Sequence, residues 1–113
     1  MPKSYKILGQ QAPIANTNTN LYVVPASTQA VISTLAYVNR SPSANANIRI
    51  AVIPNGQSVN SQHYIEYDKI LDGRESGRLT IGISLNAGDT VMIRSSTANV
   101  SFNLFGVEIT EAA

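Results

Sequence analysis

The sequence predicts an all-β chain: an antiparallel two-sheet β-sandwich of about eight strands, jelly-roll or immunoglobulin-like in arrangement. Three observations predict it. No window sustains an apolar stripe at i, i+3, i+4 and i+7, so there is no amphipathic pattern for a helix to bury. Period-2 runs rich in β-branched and aromatic residues recur along the whole chain. Between them stand Gly, Pro and Asn clusters that suit tight turns rather than helical crossovers.

Tyr5–Gly9 is the first predicted strand, ended by Gly9 and by Pro13, which lacks the N–H that a ladder needs. The polar run Asn16-Thr17-Asn18-Thr19-Asn20 makes a loop, and Leu21–Val24 is a short strand stopped by Pro25. Gln29–Asn39 is the longest candidate. Its faces are both apolar, with Ile32, Ala36 and Val38 on one and Val31, Leu35 and Tyr37 on the other, which places it mid-sheet with cover on each side. Asn47–Ile53 turns Ile48, Ile50 and Val52 inward and Arg49 and Ala51 outward. Pro54-Asn55-Gly56 then reverses the chain, because Asn and Gly tolerate positive φ.

His63–Leu71 resumes a strand with a polar-aromatic cluster, and a charged loop follows over residues 72–77. Leu79, Ile81, Ile83 and Leu85 alternate with Thr80, Gly82 and Ser84, the mark of a strand with one buried face. Asn86-Ala87-Gly88-Asp89 is the next turn, with Gly88 at the left-handed position. Thr90–Ser95 and Asn99–Ile109 complete the set. The odd spacing of Phe102 and Phe105 requires opposite faces or a bulge. Residues 1–113 read as one domain, with no internal repeat or linker.

Composition narrows the function classes. With no cysteine there are no disulfides, thiolate zinc sites or thiol nucleophiles. The N-terminal Met1-Pro2-Lys3-Ser4-Tyr5-Lys6 leads into no apolar run of signal-peptide length, and no segment approaches the roughly 18 residues of a membrane helix. The expectation is a soluble protein made in a cytoplasm, with no membrane partner. Only 13% of residues are charged, about half the usual share, and Asn, Ser and Thr do the wetting instead. A surface poor in Lys and Glu loses little side-chain entropy when fixed against a neighbour, and interface cores are themselves depleted in those residues.

The chemical groups are sparse: one histidine and seven acids. His63 and Glu66 lie three apart and so point to opposite faces of a strand, which denies the histidine an orienting carboxylate. Glu66 and Asp68 share a face but supply only two oxygen ligands, and the Asp72–Glu75 loop lacks calcium-loop spacing. No glycine cluster precedes a helix to cradle a phosphate. Five arginines, scattered, on a chain of net charge +1 do not make a nucleic-acid surface. The reading is no enzyme, no metal, no cofactor and no nucleic acid. Asn39-Arg40-Ser41 and Asn99-Val100-Ser101 match the glycosylation tripeptide, which has meaning only in a secreted chain.

What remains is contact surface. The candidate interaction residues are Tyr5, Lys6, Tyr37, His63, Tyr64, Tyr67 and Arg94. Tyr22, Tyr37, Tyr64 and Tyr67 could also stack and hydrogen-bond sugars at the end of a sandwich, and for each the competing role is a core or subunit-contact tyrosine.

Three stretches taken together resemble small virion proteins of tailed phages, especially those infecting cyanobacteria and other aquatic bacteria. They are Tyr5-Lys6-Ile7-Leu8-Gly9-Gln10, Leu21-Tyr22-Val23-Val24-Pro25-Ala26 followed by Ala30-Val31-Ile32-Ser33-Thr34-Leu35, and His63-Tyr64-Ile65-Glu66-Tyr67-Asp68. The run from Leu85 to Val91 followed by Phe102 also looks like the closing strands of trimeric jelly-roll modules. The resemblance implies a structural part of a virion, made in the cytoplasm of a bacterial host. Its first expectation is a homotrimeric capsid decoration or cement protein bound to the major capsid protein. Its second is a collar, tail-fibre or baseplate module, with a host-surface glycan as possible ligand. It brings no catalytic or ligand residues.

Overall fold

The computed structural model describes residues 3–110, apart from the side chain of Ile81. Eight strands run in order: β1 (Lys3–Gln11), β2 (Thr19–Val23), β3 (Thr28–Asn39), β4 (Ala46–Ile53), β5 (Tyr64–Leu71), β6 (Ser76–Leu85), β7 (Thr90–Ser95) and β8 (Val100–Thr110). The one helical element among the described residues is a single 3₁₀ turn, Ser61–His63, which the sequence pattern had assigned in part to β5. Sheet A has the order β1-β8-β3-β6 and sheet B the order β2-β7-β4-β5, with every neighbouring pair antiparallel. The first strand thus pairs with the last, the second with the seventh, the third with the sixth and the fourth with the fifth. A long antiparallel ribbon wrapped once around a core gives that order, which makes the sandwich a jelly roll and not an immunoglobulin-like arrangement.

The core lies between the sheets. Phe102 and Leu104 of β8, Ile32 and Leu35 of β3, Ile48 and Ile50 of β4, and Val91 and Ile93 of β7 are all essentially inaccessible to solvent. These four strands are central in their sheets, and each offers alternate apolar residues to the opposite sheet. β8 alternates without interruption: Val100, Phe102 and Leu104 point inward, while Ser101, Asn103 and Phe105 point out. The two phenylalanines therefore occupy opposite faces, as their spacing requires. Leu79, Ile83 and Leu85 of β6 turn inward against exposed Thr80, Gly82 and Ser84. The inward orientation expected of Ile81 falls outside the described side chains.

β3 sits mid-sheet but does not keep one alternation. Between matched core levels, β8 uses two residues from Leu104 to Gly106 and β3 uses three from Ile32 to Leu35. β1 likewise uses three from Lys6 to Gly9, and β6 uses four from Leu79 to Ile83. This line of bulges crosses the sheet and bends it. It also corrects the faces expected of β3. Ile32, Leu35, Tyr37 and Asn39 all face the core, and Val31, Thr34, Ala36 and Val38 stand half-buried on the outside.

Each end of the sandwich is held by a polar side chain. Asn39 has no solvent exposure: its amide donates to the carbonyls of Ala44, Leu71 and Asp72, and its oxygen accepts from the Ser41 N–H. It joins two loops and is out of reach of any modifying enzyme. At the other end, the Asp89 carboxylate accepts from the backbone N–H groups of Asn55 and Asn86 at 2.9 Å each, uniting two turns. Gly56 and Gly88 in those turns have φ of +82° and +85°.

Candidate functional site

The outer face of sheet B carries a polar-aromatic cluster built on β5. In a regular strand Tyr64, Glu66 and Asp68 would share one face and Tyr67 would oppose them. Two register shifts change this. β5 spends one extra residue between Tyr64 and Glu66 and another between Glu66 and Lys69. Glu66 and Lys69 end opposite core residues Ile50 and Ile48, and Tyr64, Tyr67 and Asp68 all face outward. The single oxygen face expected of Glu66 with Asp68 is therefore broken. Asp68 holds a left-handed φ of +53°, and its carboxylate takes a forked pair of bonds from Arg49, at 2.6 and 3.2 Å. That guanidinium lowers the Asp68 pKa below its ordinary value. It also stacks on Tyr67, 4.3 Å from the ring centre.

Tyr64 and Tyr67 meet edge to face, with centroids 4.9 Å apart at 81°. Tyr64 is rooted in a small second core of Ala51, Ile53 and Met92. Ala51 points outward as expected, yet is buried in a cluster with Ile53 and Met92, against which Val59 and Tyr64 pack. His63 closes the 3₁₀ turn from inside. Its Nδ1 accepts from the Asn60 N–H at 2.9 Å, which leaves the ring proton on Nε2 for Gln57 Oε1 at 3.1 Å, while the Asn60 side chain caps Ser61. An open cleft of about 530 Å³ lies beside this turn, lined by Val59, Asn60, Ser61, Tyr64 and Tyr67. On the far side of the Arg49–Asp68 pair is a smaller depression of about 150 Å³, where Arg94 lies with Asn16, Asn47 and Ser96.

The outer face of sheet A is different in kind. Cross-strand partners share a face, so Tyr5, Val107 and Val31 form one outward row, and Ile7, Phe105 and Thr34 the next. Tyr5 is 81% exposed and Ile7 52%. β1 is an edge strand accessible over almost its full length. A solvated antiparallel sheet normally turns polar residues outward, and this one turns out a contiguous apolar set.

Where β1 and β2 close the sandwich, Glu108 takes an ion pair from Lys6 at 2.7 Å and a hydrogen bond from the Tyr22 hydroxyl at 2.5 Å. Lys6 and Tyr22 hold the Glu108 carboxyl below its usual pKa, and burial together with Glu108 pushes the Tyr22 phenol far above an ordinary tyrosine.

The predicted interaction set thus divides. Tyr5 belongs to the outer face of sheet A. Tyr64, Tyr67 and Arg94 belong to that of sheet B. Lys6 turns to the closed edge, so it is a clamp and not a free contact. Tyr37 and His63 are corrections: at 3% and 7% exposure they present no surface. Tyr37 packs on Phe102 with ring centres 6.3 Å apart, on the core side of the β3 bulge, and burial raises its pKa with help from Glu66 and Glu75. Sequence reasoning missed Asn60 and Ser61, whose signal is the Asn60-to-His63 capping spacing. It also missed Ile7, Phe105 and Val107, signalled by apolar residues on both parities of β8.

No protein-family model matches the chain, and no curated protein matches it. Among solved structures, it is similar to a pentameric capsid protein isolated from metagenomic phage sequences, at 20% identity and a TM-score of 0.39. The match covers 96% of this chain and 61% of that one.

Proposed function

We propose that this chain is a structural protein of a phage virion. In the specific form of the proposal it is a homotrimeric decoration or cement protein seated on the major capsid protein at the head exterior, and it catalyses no reaction and takes no cofactor. The observation that carries this reading is the outer face of sheet A, where an exposed edge strand and the adjoining apolar side chains Tyr5, Ile7, Phe105, Val107 and Val31 form a surface suited to a protein neighbour. The weakly charged polar surface elsewhere and the resemblance of three stretches to tailed-phage virion proteins support it. On a lattice, many modest contacts multiply into a firm attachment. The one histidine is buried, with both ring nitrogens bonded to Asn60 and Gln57 inside the fold.

Cryo-microscopy of the purified particle, with copies counted by mass spectrometry, tests this. The expected result is many copies spread over the head, sheet A against a neighbour. A small fixed set on the tail would favour the second reading, a collar, fibre or baseplate module, which the tyrosine cleft on sheet B recommends. Absence from the particle would end both.

A further inference from the structure

We propose that the outer face of sheet B binds an acidic saccharide, with a pyranose ring against Tyr64 and Tyr67 and a carboxylate at Arg94. The two tyrosines share a face only because β5 carries its extra residues, and bulges of this kind re-aim side chains at binding sites. Asp68, left-handed inside a strand, is a local strain that its forked bond with Arg49 retains. Arg49 covers one side of the Tyr67 ring, yet Tyr67 stays 59% exposed, which leaves apolar ring surface for the C–H face of a sugar. Asn60, Ser61, Tyr64 and Tyr67 line the same cleft and carry polar groups of the kind that meet sugar hydroxyls. The platform is fixed in advance. The capped 3₁₀ turn holds one wall, and the Ala51, Ile53 and Met92 cluster holds the other.

Charge selects the acidic sugar. Arg49 and Arg94 sit directly opposite each other on β4 and β7, an arrangement of like charges that repels. Asp68 answers one of them. Among the described residues Arg94 makes no ion pair, and its side chain has only a marginal contact with Asn18 Oδ1 at 3.5 Å. The small depression, lined by Arg94, Asn16, Asn47, Ser96 and the Arg49–Asp68 pair, therefore keeps a net single positive charge, carried on its Arg94 side. A carboxylate there would relieve the repulsion and gain hydrogen bonds at the same time.

The assignment stands on sheet B alone and is tested on the purified 113-residue chain, so its failure and that of the virion reading are separable. The probe is a microarray of neutral and uronic- or sialic-acid-bearing oligosaccharides, followed by calorimetry on the strongest ligand. Binding confined to acidic members is expected. Tyr67→Ala should weaken it about tenfold, and Arg94→Gln should remove the preference for acid over neutral sugars while circular dichroism stays unchanged. Silence across the array would overturn the proposal, and so would a ligand held equally well by the Tyr67→Ala and Arg94→Gln variants, which would place it elsewhere.

Discussion

Among single residues, Glu108 of β8 ties the two sheets together at one edge, taking Lys6 from β1 of its own sheet and the Tyr22 hydroxyl from β2 of the other. Its folded pKa lies below its ordinary, unfolded value. The stability it contributes is therefore fully present above that value and is lost as the pH falls through the folded pKa. Urea midpoints measured from about pH 6 to about pH 2.5 should drop more steeply for the natural chain than for Glu108→Gln, which has no proton to take up there. Parallel profiles would show that the carboxylate adds nothing. Lys6 is half exposed, so added salt should shrink the difference. Residue types were legible in the sequence, and their surroundings were not. Asn39 reads as the polar end of a strand, and only the packing of two loops around it shows why an amide is needed in a dry site. Tyr37 reads as a surface aromatic because nothing local states which way a residue points after a bulge, and His63 does so because the alternation extends β5 over a residue that closes a 3₁₀ turn.

At the level of elements the sequence is informative, since all eight strands stand where alternation and turn residues place them, to within a few residues at their ends. Hydrophobic period sets the existence of a strand, and Gly88 and Gly56 set two of its turns. Bulges escape such reading because an inserted residue reverses every later face without altering composition. That is why the faces of β3 and the outward grouping of Tyr64, Tyr67 and Asp68 emerge only from the register. The same bulged level explains Gly106. A Cβ there would collide with the Val31 carbonyl oxygen of the neighbouring strand, so only glycine permits β8 and β3 to run this close. Gly106→Ala should cost about 1–3 kcal/mol and lower the urea midpoint. An unchanged midpoint would mean that the sheet yields at this level.

For the whole molecule, the jelly-roll pairing leaves two outer faces of opposite character, one with exposed apolar side chains on sheet A and a polar-aromatic one on sheet B. The sandwich itself was legible, as alternation demands two facing layers. Its pairing order was not, because strand partners far apart in sequence are chosen by the wrapping of the whole ribbon. The account turns on the outer face of sheet A being contact surface, and sedimentation of the purified protein measures this most directly. The natural chain should sediment as a trimer at micromolar concentration, and Tyr5→Ser/Ile7→Asp, whose changes lie on an exposed edge strand, should run as a monomer with its β-sheet spectrum intact. A natural chain that sediments as a monomer throughout, or a double variant that keeps the trimer, would contradict the account.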